Sequence, residues 1–262
     1  MSTRKINIIT PTRAIKRMHG GSGSTLVEAS DGLLYVIKWV QNPQGPNLVM
    51  NEIVGSLIYI KLGIPTPHFT IIYVAQEFID KNQLFFEDMS NSNIKPKAGY
   101  HFASLWLGNK SQDVFDAVPT CWINRIENRS MFLASLVADV WCDHVDSRQV
   151  VFVKLSNSQK LSVFFIDHGH LFNGPRGDQE MRLRVCFHLD MRMYHDLDTK
   201  RGLWHWISYI NKHGDYVINS VRMSIKKKYG HVIPSVEQSL EKLSLNKNEI
   251  LQKIIPDVFR WL

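Results

Sequence analysis

Hydrophobic residues in the first third of the chain fall into short runs that are typical of β-strands. Residues 26–28 and 33–40 are rich in aliphatic and aromatic side chains, and the turn-forming segment 30–32 separates them, so the pattern predicts a β-hairpin. Residues 48–62 instead place apolar side chains at helical spacing and are followed by Gly63, which favours a helix end. The amino-terminal part therefore predicts a small sheet with one main helix.

The pattern becomes mostly helical further along the chain. Residues 69–78 predict one or two strands, and the polar tract 80–99 predicts a connection, in which 84–86 could add a strand. Helical spacing then covers residues 128–141, 203–211, 216–229 and 234–262. We therefore expect an α+β protein with a β-rich unit over residues 1–98 and a mostly helical unit over residues 99–262.

Composition narrows the class of protein. With 262 residues, 44% of them hydrophobic, the chain can bury a sizeable core. The net charge of +7 favours acidic partners such as nucleotides, nucleic acid or anionic protein surfaces, without selecting one. Three cysteines without C-x-x-C spacing argue against a disulfide framework and a structural zinc site, so we expect a cytoplasmic protein. We find no signal-peptide profile and no apolar run long enough for a membrane span.

A glycine-rich segment, Gly20-Gly21-Ser22-Gly23-Ser24, precedes the predicted hairpin. It does not match the phosphate loop G-x-x-x-x-G-K-[ST], and a hairpin follows it where the dinucleotide fingerprint requires a helix. One interpretation is a loop whose backbone amides cover phosphates, with Gly21, Ser22, Gly23 and Ser24 as nucleotide contacts. The alternative is a flexible turn.

Lys38 is the only charged residue in the apolar run 33–40. A buried cation is costly without an anion, so this lysine either points to solvent or has a partner. Glu52, near the start of the predicted helix, is the candidate partner in a pair that would direct the ammonium toward phosphates. The alternative for Glu52 is a solvated carboxylate favoured by the helix dipole.

Two aspartates adjoin apolar strand patterns in the second half of the chain. Asp146 lies between a predicted helix and the strand pattern 150–153, and Asp167 directly follows the strand pattern 163–166. A turn role is the alternative for Asp146, whereas an acid at the end of a buried strand needs a partner such as a metal. Nearby candidates for a transition-metal site lack a recognised ligand spacing; they are Asp143, His144, His168 and His170. Backbone amides, one ammonium and two carboxylates are the groups that phosphoryl transfer requires.

The order of these motifs resembles the HipA-like kinase family over most of the chain. Residues 20–38 resemble its loop and lysine strand, Asn51-Glu52 and 62–67 its helix and the turn after it, and 99–104 a further short segment. The aspartate motifs complete the resemblance. It implies a two-lobed protein-kinase-like fold that uses ATP and magnesium to phosphorylate a serine or threonine of a protein.

The resemblance also implies roles for individual residues. Asp146 would act as catalytic base or orient the substrate hydroxyl, and Arg148, which occupies the place of a family histidine beside it, is the second catalytic candidate. Asp167 would bind magnesium. Lys38 would contact the phosphates and Glu52 would hold that lysine.

One departure concerns the metal. Five positions after Asp146 the family pattern has a metal-binding asparagine, whereas this chain has Val151, which offers no ligand atom. Arg148 replaces the histidine with a permanent positive charge. A nucleotide-binding pseudokinase with an impaired metal site is therefore one alternative, and a basic nucleic-acid-binding protein is another.

The partners are less defined. Four arginines follow Asp167 where a kinase has its substrate-facing segment: Arg176, Arg182, Arg184 and Arg192. A solvated basic face is one interpretation, and an acidic or tRNA-associated protein substrate is the other. The resemblance adds an antitoxin-like partner as an expectation and leaves direct nucleic-acid binding open.

Overall fold

The computed structural model describes residues 8–18, 21–87, 93–108, 113–154, 158–180, 186–230, 232–233 and 236–250. Contacts divide the chain into two compact units, residues 1–49 with 68–106 and residues 50–67 with 107–262. The boundary predicted after residue 98 precedes a strand, Gly99–Leu105, that pairs within the first unit. The amino-terminal unit is thus completed by a segment that returns to it.

The first unit is built on a five-stranded antiparallel sheet with strand order β1-β2-β3-β7-β4. The strands are β1 (Pro11–Arg17), β2 (Thr25–Ala29), β3 (Leu34–Lys38), β4 (Phe69–Val74) and β7 (Gly99–Leu105). A short helix α2 (Gln76–Lys81) and a small ribbon of β5 (Phe86–Glu87) and β6 (Asn93–Ile94) complete it. Buried aliphatic and aromatic side chains from the sheet, α2 and β5 form its core, as expected for β-rich sequence.

Local signals set several of these elements. The hairpin predicted around residues 30–32 is confirmed, because β2 pairs with β3 and Gly32 takes a positive φ of 79°. Asp31 stabilises the turn by accepting hydrogen bonds from the Leu33 N–H at 3.1 Å and the Tyr35 hydroxyl at 2.9 Å. Residues 76–78, however, form a helix and not a strand, and Gln76 bonds Asp80 one turn later at 3.0 Å.

The second unit contains most of the helices. They are the larger part of α1 (Leu48–Leu62), α3 (Met131–Trp141), α4 (Thr199–Ser224) and α5 (Glu237–Asn246). A three-stranded antiparallel sheet accompanies them, with order β10-β9-β8, formed by β8 (Asp113–Phe115), β9 (Gln149–Lys154) and β10 (Leu161–Ile166). The helix predicted over residues 48–62 is confirmed, and Gly63 with a φ of 72° follows its end.

The break predicted between residues 211 and 216 is wrong, because α4 is continuous and extends into a π-helical turn at Ile225–Tyr229. Gly214 lies in the interval that the two predicted helical segments left between them. A Cβ at this position would lie 3.1 Å from the Lys247 side chain and 3.3 Å from Trp141, so the glycine permits close packing within the helix bundle. The last predicted helix is confirmed only as α5, and residues 251–262 lie outside the described residues.

Within the described ranges, no helix combines the length and the apolar composition that crossing a lipid bilayer would demand.

Two glycines provide a test of the packing in the first unit. Gly23 has a φ of 56°, and a Cβ there would lie 2.6 Å from the Cβ of Phe86, whereas Gly32 has a φ of 79° and nothing within 4 Å of the same position. We expect Gly32→Ala to cost about 1 kcal/mol from backbone strain alone. Gly23→Ala adds a collision with β5 and should cost about 3 kcal/mol.

The free energy of unfolding of both variants, measured by urea denaturation, checks this expectation. Equal losses for the two variants would contradict the packing described for Gly23.

A second test concerns His101 in β7. Its Nδ1 accepts a hydrogen bond from the Val40 N–H at 3.1 Å, so Nε2 carries the proton and donates to the Lys97 carbonyl at 3.1 Å. Burial lowers the pKa of His101 from 6.5 to about 4, although the bond to Lys97 opposes the shift. The unfolded chain therefore binds this proton first as the pH falls, and folding loses stability between pH 6.5 and about 4.

Between pH 7 and pH 5, His101 should lower the free energy of unfolding by about 2 kcal/mol. His101→Phe should reduce the loss of unfolding free energy between pH 7 and pH 5 by that amount. His205→Phe, at an exposed position of α4, is the matched control and should leave the pH dependence as in the wild type. A His101→Phe chain with the full wild-type pH dependence would contradict the assignment.

Candidate functional site

The glycine-rich loop joins β1 to β2 in the first unit. Asn42 holds it by donating from Nδ2 to the Ser22 carbonyl at 2.6 Å. Over the described part of the chain, the amides of Gly21, Ser22, Gly23 and Ser24 donate no hydrogen bond to the protein. Such amides can bind an anion in a loop of this kind.

At position 23 of this loop, packing alone explains why the residue is glycine. Phe86 occupies the space that a Cβ of Gly23 would need, so a phosphate is not required to explain this residue. The hydroxyls of Ser22 and Ser24 bond each other at 2.8 Å, and Ser24 is buried. Gly20, the first glycine of the motif, lies outside the described residues.

Lys38 ends β3, which is an interior strand of the sheet and pairs with β7 opposite Phe102. The lysine is only 8% exposed, so the interpretation of a side chain that points to solvent is wrong. A cation at this burial requires compensation by an anion or by hydrogen bonds. Lys38 is thus a buried cation that needs a partner, which was the reason for predicting a phosphate-binding role. That role stays a prediction.

Glu52 lies in the part of α1 that belongs to the second unit, and it is 2% exposed. This burial makes the alternative of a solvated carboxylate at the helix start wrong. The Lys38–Glu52 pair stays a prediction.

Asp146 lies in the loop between α3 and β9. Its side chain is 42% exposed and its Oδ2 lies 3.9 Å from His170 Nε2. Oδ1 accepts a hydrogen bond from the Ser147 N–H at 2.7 Å. One carboxylate oxygen is thus fixed by the loop, while the side chain retains access to solvent.

Asp167 follows directly after β10 and has a φ of 61°. This left-handed conformation is uncommon for a residue other than glycine and persists where the surroundings enforce it. The carbonyl of Asp167 accepts a hydrogen bond from Arg148 Nη1 at 3.3 Å, and the carbonyl of Ile166 accepts one at 2.9 Å. Arg148 therefore fixes the backbone on which Asp167 stands.

The loops that carry the two aspartates are bonded to each other through their backbones. The Val145 N–H donates to the His170 carbonyl at 3.0 Å, and the Phe172 N–H donates to the Cys142 carbonyl at 2.8 Å. The sequence places these loops about twenty residues apart, and the fold makes them neighbours within one unit.

Arg148 is 1% exposed, and its guanidinium faces the protein interior. Its Nε donates to Asp139 Oδ2 at 2.8 Å, and its Nη2 forms an ion pair with Asp139 Oδ1. Burial alone would lower the pKa of Arg148, but the Asp139 carboxylate raises it above the ordinary value, so the guanidinium is charged. These contacts are those of a group that positions Asp167.

Asp139 completes this network on the other side. It is fully buried in α3 and accepts a hydrogen bond from the Tyr59 hydroxyl at 2.7 Å. Burial raises the pKa of Asp139, and the Arg148 guanidinium opposes that effect. Asp139 was not predicted from the sequence. A signal was nevertheless present, since Asp139 is the only charged residue of α3.

Val151 lies inside β9 opposite Phe164 and is largely buried. The hydrocarbon side chain offers no ligand atom, so Asp167 stays the one predicted metal ligand of the motif. Magnesium commonly binds through one or two carboxylates and completes its shell with phosphate oxygens and water. The residues present therefore fit magnesium that arrives with a nucleotide, and they do not form a metal cage of their own.

The alternative of a transition-metal site finds no support. In the part of the chain that the structure describes, no group of three or more His, Cys, Asp or Glu side chains could hold a metal ion. His168 Nε2 bonds the Thr66 hydroxyl at 3.1 Å, and Asp143 accepts a hydrogen bond from Asn246 at 2.7 Å. These side chains serve the internal structure.

No protein-family model matches the chain, and no curated protein matches it either. Solved structures do match. A crystal structure of the Golgi casein kinase aligns with a TM-score of 0.61 and 13% identity over 95% of this chain and 72% of that chain. The same kinase with Mn/ADP bound aligns with a TM-score of 0.60 and 13% identity over 95% and 73%.

A Helicobacter pylori proinflammatory kinase, CtkA, aligns with a TM-score of 0.53 and 13% identity over 96% of both chains. Identity this low establishes the fold alone. The chain has a kinase-like fold, in which a small antiparallel sheet precedes a mostly helical part.

Proposed function

We propose that this chain is an ATP-dependent phosphotransferase of the HipA-like type that phosphorylates a serine or threonine of a protein. The observation that carries the proposal is the backbone bonding between the loops of Asp146 and Asp167 inside a kinase-like fold. This arrangement offers an exposed carboxylate beside a carboxylate of fixed backbone. Phosphoryl transfer depends mainly on such positioning and on charge stabilisation.

Each proposed role follows from a local environment. Asp146 receives or orients the hydroxyl proton at Oδ2, since Oδ1 already accepts the Ser147 N–H. Asp167 holds magnesium, which supplies charge neutralisation of the phosphates when it is bound. Lys38 contacts phosphate oxygens, and the amides of Gly21 to Ser24 add hydrogen-bond donors.

A second candidate is a nucleotide-binding pseudokinase, and Val151 is the observation that favours it. With a buried hydrocarbon in β9 at the position of the second metal ligand, metal affinity depends more heavily on Asp167 and on the nucleotide. Binding would then persist while transfer is lost.

We also propose a reducing compartment, the cytoplasm. All three cysteines are free thiols, and Cys142 and Cys186 are buried in the second unit.

Metal-dependent nucleotide binding is the first expected result. At 100 times its dissociation constant a ligand stabilises a protein by about 2.7 kcal/mol, which corresponds to a rise in melting temperature of about 5–10 °C for a chain of this size. ATP with magnesium should produce this shift in a thermal melt. Asp167→Asn should lose the part that depends on magnesium, because a neutral amide binds the metal far more weakly than a carboxylate.

Asp116→Asn is the matched control, since it makes the same chemical change at an exposed position of the second unit. It should shift as the wild type does. A wild-type melting temperature that does not change with ATP and magnesium would exclude both the kinase and the pseudokinase.

Transfer separates these two candidates. With radiolabelled ATP and a generic protein substrate, the wild type should transfer phosphate, and Asp146→Asn should be slower by about 10²–10⁴ because it loses the proton acceptor. Its thermal shift with ATP and magnesium should remain. Nucleotide binding without any transfer by the wild type would select the pseudokinase.

A further inference from the structure

The segment that follows Asp167 is held by a residue that no motif assigned to the site. We infer that Asn51 of α1 is a positioning residue for Asp167, acting through the backbone of residues 169–174. The inference rests on the proposed function, because that function gives Asp167 its role at the metal.

The contacts of Asn51 are directed to one segment. The side chain is fully buried, and its Nδ2 donates to the carbonyls of Gly169 at 2.9 Å, Leu171 at 2.7 Å and Gly174 at 3.3 Å. Two N–H groups are shared among three acceptors across six residues of loop. One side chain therefore ties three carbonyls of an irregular segment to α1, and two of them, those of Leu171 and Gly174, also accept from the N–H groups of Gly174 and Gly177.

The oxygen of the Asn51 carboxamide distinguishes its donor role from an acceptor role. Oδ1 of Asn51 is buried and has no hydrogen-bond partner in the described ranges. A buried acceptor without a partner costs free energy, and the reversed orientation would place it against three carbonyl oxygens. Asn51 thus contributes its two donors to the segment and little else.

Two further residues of α1 pack against the same segment. At Gly55, one turn after Asn51, an added Cβ would lie 2.5 Å from the Cβ of His168 and 2.5 Å from Leu171. At Tyr59, one turn further, the ring lies 4.4 Å from the His168 ring. Residues at this spacing share one face of a helix, so α1 packs a continuous stripe against residues 168–174.

Asp167 is therefore held from both directions. Arg148 fixes the carbonyls of Ile166 and Asp167, and Asn51 fixes the carbonyls that follow. The left-handed φ of Asp167 persists only while both anchors remain, because a strained conformation relaxes when its surroundings no longer determine it. Removal of Asn51 should free the segment and shift the carboxylate, although Asn51 itself touches no ligand.

The test compares Asn51→Ala with Asn128→Ala. Asn128 is a matched control because its side chain also bonds backbone near Asp167, accepting from the Val163 N–H at 2.8 Å and donating to the Val163 carbonyl at 3.0 Å. Two measurements are made on the full chain: amide hydrogen exchange of residues 168–174 without ligand, and calorimetric affinity for ADP with and without Mn²⁺. Asn51→Ser keeps a donor and serves as the milder variant if Asn51→Ala does not fold.

We expect Asn51→Ala to accelerate exchange in residues 168–174 and to weaken the affinity for Mn²⁺–ADP by about tenfold, as loss of a supporting group around a metal commonly does. Its affinity for ADP without metal should stay near the wild-type value. Asn128→Ala should match the wild type in both measurements. Where the wild type binds Mn²⁺–ADP, faster exchange without this metal-specific loss would assign Asn51 a structural role alone and would overturn the inference.

Equal exchange of residues 168–174 in the two variants would overturn it as well. If the wild type binds no Mn²⁺–ADP, the proposed function fails, and the exchange comparison then decides the inference by itself: local acceleration in Asn51→Ala supports the anchoring, and uniform exchange refutes it.

Discussion

A carboxylate and a guanidinium that are both removed from water organise the second unit. Asp139 comes from α3 and Arg148 is the loop residue directly before β9, and each is almost completely buried. Removal of one member of such a pair leaves an uncompensated buried charge and typically costs about 3–5 kcal/mol. The pair therefore fixes the geometry of the elements around it, and the backbone at Asp167 inherits its position from this contact.

In this kinase-like fold, the buried pair supports the candidate site from inside the protein, so few of its residues are both charged and exposed. Asp146 presents its carboxylate from a loop whose backbone is bonded to the next loop, while the groups that set this arrangement are inside the protein. Val151, by contrast, contributes only packing, because its hydrocarbon side chain is largely buried in β9 opposite Phe164. The backbone around the two candidate aspartates is thus positioned largely by groups inside the protein.

Much of the fold could be predicted because its signals are local. The turn at Gly32 and the helix end at Gly63 depend on backbone conformations that glycine favours, and both are confirmed. The continuity of α4 was not predicted, because Gly214 has a tertiary role: it lets Trp141 and Lys247 approach α4, and no local pattern distinguishes that role from a helix break.

For the candidate site, the same local reasoning reached only single residues. The rule that a lone charge in an apolar run needs a partner identified Lys38, which is buried. The same rule applies to Asp139 in α3, but its partner Arg148 could be recognised only once the fold brought the two together with the carbonyl of Asp167. A partner chosen by three-dimensional proximity leaves no trace in spacing along the chain.

The buried pair also constrains how the sequence can change over time. An arginine at position 148 is tolerable only where position 139 carries an acid, and an acid at position 139 would be a liability without that arginine. Single substitutions that pass through either half-state lose stability before any benefit appears. The two residues are therefore constrained to be gained or lost together, so neither position can change its charge while the other keeps its own.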